Sequence, residues 1–94
     1  MTEKLKQQID KLEKLKKGWD ANAQEGFPIK PEIIEGLRDN NILTHLLEKF
    51  QALGISEDHV DIVPISSGNV QIEAEHGDVY LEIELDEKIK EKWQ

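Results

Sequence analysis

The chain has 94 residues with a net charge of −8, 37% hydrophobic and 34% charged, and its aliphatic residues fall in periodic runs, so a single folded domain with one modest core is predicted. The absence of cysteine excludes disulfides, thiolate metal sites and a cysteine nucleophile. No apolar run approaches the roughly 20 residues of a membrane-spanning helix and the N-terminus has no signal-peptide core, so a soluble, cytoplasmic protein without membrane association is expected.

Charge is segregated along the chain. Residues 1–17 hold six lysines against three acids, whereas the remainder holds six basic residues against seventeen acids. Over the 38 residues 50–87 there is no Lys or Arg, but ten Asp or Glu. A surface built from that span repels phosphate backbones, so direct nucleic-acid binding is not expected.

Taken in chain order, Thr2 is a candidate N-cap, and Leu5, Ile9, Leu12 and Leu15 recur at helical spacing, which predicts an amphipathic Lys-rich helix over residues 3–17 ended by Gly18. Lys14, Lys16 and Lys17 would then sit at the negative end of the helix dipole. Residues 18–30 lack periodicity and contain Gly26 and Pro28, which predicts a loop. Trp19, just past the helix, is expected to anchor in the core and Asp20 to accept hydrogen bonds in a turn; the alternative makes the loop from Trp19 to Phe27 a recognition surface.

Pro31 suits the first position of a second helix, with Glu32 and Glu35 near its positive end. At 100° per residue, Ile33, Ile34 and Leu37 point almost opposite to Ile42, Leu43, Leu46, Leu47, Phe50 and Leu53. Residues 31–53 therefore require a break, placed at Asp39-Asn40-Asn41, whose side chains compete for backbone hydrogen bonds. Gly54 is the predicted stop.

Beyond Gly54 the period changes to 2, predicting strands over residues 60–65, 70–75 and 79–85, with Pro64 confined to an edge or a strand end. Val70, Ile72 and Ala74 share one face with Val79, Leu81, Ile83 and Leu85 only if the hairpin loop has an even number of residues. A Gly77-Asp78 loop opposes Glu73 to Glu82. A His76-Gly77 loop opposes Glu73 to Tyr80 and Gln71 to Glu82, and is preferred because it separates like charges and puts glycine second in the turn. Residues 88–94 form either a short terminal helix with Ile89 and Trp93 on one side or a frayed tail. The expected fold is α+β: an N-terminal helix, a broken middle helix and a three-stranded antiparallel meander with one face covered by helices.

His45, His59 and His76 have none of the close spacings that place two imidazoles on one metal. Glu57-Asp58-His59-Val60-Asp61 is dense in ligands but lacks the glycine and spacing of a calcium loop. No phosphate-binding glycine loop or nucleophile elbow occurs, and no cofactor is implied. The ordered set Gly18-Trp19-Asp20, Pro28 or Pro31, Pro64, Ser67-Gly68-Asn69 before Val70-Gln71-Ile72-Glu73, and Leu81-Glu82-Ile83-Glu84 resembles a loose group of small, mostly uncharacterised bacterial proteins. The resemblance covers most of the chain and departs at Ala21-Asn22-Ala23-Gln24, where that group has a glycine and a small-residue loop. It implies an architecture and no activity.

The functional expectation is a non-catalytic interaction module presenting Gln71, Glu73, Tyr80, Glu82 and Glu84 to a basic protein surface, in one version as an inhibitor or antitoxin-like protein. The alternative is a structural homodimer in which the acidic face takes the Lys-rich helix of a second copy. A small metal-binding protein or enzyme is the third reading, and a solvated face that only aids solubility is the plainest.

Overall fold

The structure is a computed structural model and describes residues 2–20 and 26–93, without the side chains of residues 40 and 41. Among the described residues four α-helices, α1 (Glu3–Glu13), α2 (Pro31–Arg38), α3 (Asn40–Ala52) and α4 (Ile89–Lys92), accompany an antiparallel sheet of β1 (Val60–Pro64), β2 (Val70–His76) and β3 (Val79–Leu85) in that spatial order. The fold is the expected α+β meander. Leu5, Ile9 and Leu12 of α1, Ile33 and Leu37 of α2, and Ile42, Leu43, Leu46 and Phe50 of α3 form one core with Val60, Ile62, Val70, Ile72, Ala74 and Leu85 of the sheet.

The middle helix breaks at Asp39, which takes an extended conformation between α2 and α3. That turn lets both apolar arcs face the same core. At the far end of α3, the Ile55 amide donates to the Phe50 carbonyl at 2.9 Å and the Gly54 amide to the Gln51 carbonyl at 2.9 Å, the paired bonds of a Schellman stop. This turn leaves Leu53 outside the helix and 62% exposed, not on the buried face as its spacing suggested.

The first helix is shorter than its periodicity predicts. It ends at Glu13 with Lys14 as C-cap, and the chain tightens through bonds from the Lys14 amide to Lys11 and the Leu15 amide to Leu12. Lys11 lies in the last turn and Lys14 at the C-cap, so the dipole does not account for Lys16 and Lys17. The departure lets the Gly18 amide reach the Gly26 carbonyl at 2.6 Å, closing the following loop. Leu15 remains packed against the core without being helical.

The hairpin register also differs from the preferred one. Gly77 and Asp78 form the loop, pairing Glu73 with Glu82, Gln71 with Glu84 and Glu75 with Tyr80. Two causes favour it. Gly77 occupies the first loop position with φ 59, the left-handed backbone that a two-residue turn demands there. The register also sets Leu85 opposite Val70, both fully buried, a pair the alternative would forfeit.

The two edges of the sheet are treated differently. Helix α1 lies along β1, where the Gln8 side chain accepts from the Ile62 amide at 2.8 Å and donates to Asp61 Oδ1 at 2.9 Å. Pro64 ends that strand. A glutamine thus satisfies the edge amide that another strand would otherwise take. Helix α4 follows β3, with Ile89 fully buried against Gly36 of α2, which settles residues 88–93 in favour of a docked helix. Asp86 accepts from the Lys88 amide and from Lys92 Nζ, which hold its carboxyl below the usual range.

Candidate functional site

Strand alternation sends Gln71, Glu73, Tyr80, Glu82 and Glu84 to the sheet face opposite the buried Val70, Ile72 and Ala74. These five of the seven predicted site residues therefore share one surface. The β1–β2 register extends it, setting Asp61 beside Glu73 and Val63 beside Gln71. One row across the face thus reads Asp61, Glu73, Glu82. Carboxylates in such a row repel one another.

The side chains around them offset that repulsion. The Tyr80 hydroxyl donates to the Glu82 carboxylate and is shared with Glu73. Gln71 Nε2 donates to Glu73 Oε1 at 3.2 Å, and Asn69 Nδ2 to Glu84 Oε2 at 3.0 Å. Each of these donors is neutral. They orient the carboxylates but do not neutralise them, in contrast to Asp61, whose Oδ1 has Lys4 Nζ at 3.5 Å. Hydrogen bonding to Glu82 is the main reason the Tyr80 hydroxyl is pushed up to about 12, with desolvation and the charge of Glu73 adding to it.

This chain has one tyrosine, so its ultraviolet titration reports the site directly. The folded value lies above the ordinary value of about 10, so the hydrogen-bonded neutral form contributes stability that is complete below pH 10 and lost as pH rises towards 12. The expected tyrosinate midpoint is near 12 in the native protein and closer to 10 in Glu82→Gln. Equal midpoints in the two proteins would show that the carboxylate does not hold the hydroxyl.

At the Gly77-Asp78 end of the hairpin the face deepens into a depression of about 340 Å³, lined by Asp58, His59, Asp61, Glu73, Glu75, His76 and Tyr80. His59 and His76, distant in sequence, meet edge to face with ring centroids 5.6 Å apart. Among the described residues no three of the His, Asp and Glu side chains are arranged to hold a metal ion. Sequence reading missed Glu75, Asp61 and the two imidazoles as neighbours of the predicted face. The alternation of Val60 and Ile62 around Asp61 was the available signal for one of them.

Trp19 and Asp20 lie elsewhere. Trp19 is half-buried and outside the core, so it is not the expected anchor between helix and sheet. Its indole packs on Gly26, where an added Cβ would come within 2.9 Å of the ring, and its Nε1 donates to the Phe27 carbonyl at 2.6 Å. A ring engaged with a glycine backbone needs no core pocket. The Phe27 amide in turn donates to Ser66 at 2.9 Å, which ties this segment to the β1–β2 turn, at the opposite end of β2 from the hairpin loop. Residues 21–25, including the departure from the resembling group and much of the possible recognition loop, lie outside the described residues.

No family model, curated protein or solved structure matches the chain.

Proposed function

We propose that the chain is a non-catalytic interaction module whose acidic outer sheet face binds a basic protein surface, as an inhibitor or antitoxin-like protein does when it occupies a groove shaped for nucleic acid. The supporting observation is the set of neutral donors, Asn69, Gln71 and Tyr80, that fix Glu84, Glu73 and Glu82 without cancelling their charge. Oriented, uncompensated charge accelerates encounter with an oppositely charged partner, and the attraction is screened beyond about 10 Å at 0.1 M salt. The depression beside Tyr80 is large enough to receive a lysine or arginine side chain.

The homodimer reading has less support. Helix α1 already lies along β1 of its own chain and Lys4 is engaged with Asp58 and Asp61. The decisive experiment captures partners from the native host's lysate with the protein and with Glu73→Lys/Glu82→Lys/Glu84→Lys, after circular dichroism establishes that both fold. Basic proteins should be retained by the native face, released as salt rises and absent from the variant. Identical partners on both proteins would overturn the proposal.

A further inference from the structure

The β1 edge is closed by Gln8, and the same bond reveals which backbone groups the β3 edge leaves open. Because the Ile62 amide points to Gln8, it points away from β2, so Ile62 and Ile72 form a non-hydrogen-bonded pair. The Ile72 amide must then face β3, and Ile72 bonds to its partner Ile83. Alternation along β3 directs the backbone amides and carbonyls of Tyr80, Glu82 and Glu84 outward from the sheet. These are the residues whose side chains form the acidic face.

Nothing comparable to α1 packs along this edge among the described residues. Strand β3 is seven residues long and contains no proline, lysine or arginine; its charged residues, Glu82 and Glu84, discourage pairing with an acidic strand and leave a basic one favoured. On its inner side Val79 is 45% exposed and Leu81 and Ile83 are only half-buried, so the core ends in an apolar margin there. A strand added at this edge would meet carboxylates on one face and aliphatic side chains on the other.

We infer that β3 is a docking edge for a strand of a partner protein in which Lys or Arg alternates with aliphatic residues. The added strand would extend the sheet by one, with main-chain bonds to Tyr80, Glu82 and Glu84. Its basic residues would stand beside those carboxylates and its aliphatic residues would cover Val79, Leu81 and Ile83. A second copy of β3 is a poor occupant. Antiparallel self-pairing that keeps the apolar faces together opposes Glu82 to Glu82 or to Glu84, and the register that instead sets Glu82 opposite Tyr80 pairs only Val79 to Ile83 and leaves Glu84 facing Asp78. The inference rests on the acidic-face reading for its choice of a basic partner and adds the edge and the backbone geometry.

The test uses the full chain and an acetylated, amidated peptide Val-Lys-Val-Lys-Val-Lys-Val. Paired antiparallel with its lysines directly opposite Tyr80, Glu82 and Glu84, the peptide bonds to β3 through its lysine amides and its valine amides point away. N-methylation of the three lysine amides should weaken binding at least tenfold, whereas N-methylation of the interior valine amides should change it less than threefold. Hydrogen exchange at Tyr80, Glu82 and Glu84 should slow when the unmodified peptide binds. Equal binding by both methylated peptides would overturn the docking edge while leaving charge recognition by the face intact. Failure of every peptide to bind would also overturn it, and partner capture by the native face but not by its charge-reversed form would still separate that failure from failure of the acidic-face reading.

Discussion

Gly36→Ala should destabilise the protein by about 1–3 kcal/mol, although alanine is intrinsically the better helix former by roughly 1 kcal/mol. The Cβ it introduces would lie 2.6 Å from Ile89 Cγ2 and 2.9 Å from Ile89 Cδ1, so α2 and α4 can approach only through a bare α-carbon. Ile89 is fully buried, and close-packed interiors leave a side chain little room to withdraw. Ile89→Ala alone should cost about 2–5 kcal/mol through lost burial and the cavity left behind. The double variant should be no less stable than Ile89→Ala, because the alanine methyl enters the space the isoleucine vacates. Urea titration followed by circular dichroism measures all three. A Gly36→Ala protein more stable than the native one would show that helix propensity outweighs this contact. Against a total stability of about 5–14 kcal/mol for a chain of this size, each change is substantial.

Gly68→Ala should cost about 2–4 kcal/mol, combining left-handed backbone strain with a collision against main chain. Gly68 has φ 92, and an added Cβ would stand 2.9 Å from the Pro28 carbonyl oxygen. Its own carbonyl accepts from the Lys30 amide at 3.0 Å, beside the bond from Phe27 to Ser66. The turn between β1 and β2 is therefore the cradle in which residues 27–30 lie. Its displacement should also speed exchange of the Trp19 indole proton, since Nε1 is bonded to Phe27. Gly77→Ala is the control: φ is 59 but nothing lies within 4 Å, so only the strain of about 1–2 kcal/mol is expected. Equal losses at the two glycines would remove the collision from the explanation.

Much of the fold was legible because periodicity carries direction. Two apolar arcs pointing opposite ways required the break at Asp39, and alternation around Val70 and Val79 required two strands with an even loop. The errors have a common physical origin in contacts that periodicity does not encode. Repulsion between Glu73 and Glu82 argued for the wrong register because the Tyr80 hydroxyl, two residues from Glu82, was not counted as the group that reconciles them. Leu15 kept the helical spacing of α1 without the helix, and Trp19 found its partner in Gly26, a glycine whose role is set by what lies on it. The acidic face was legible as a list of outward residues. Its depression was not, because His59 and His76 become neighbours only when β1 is laid beside β2.

The Gln8 seal on β1 has a consequence in time. Strands β2 and β3 join across two residues, but Gln8 and Ile62 are separated by 54 positions, and closing a longer loop costs more chain entropy. The hairpin can form from its own neighbourhood, whereas protection of β1 must wait for α1 to reach a strand 54 positions further along the chain. In a nascent chain α1 is made before the strand it guards, and the sheet's vulnerability to mispairing is concentrated in the interval before that helix docks.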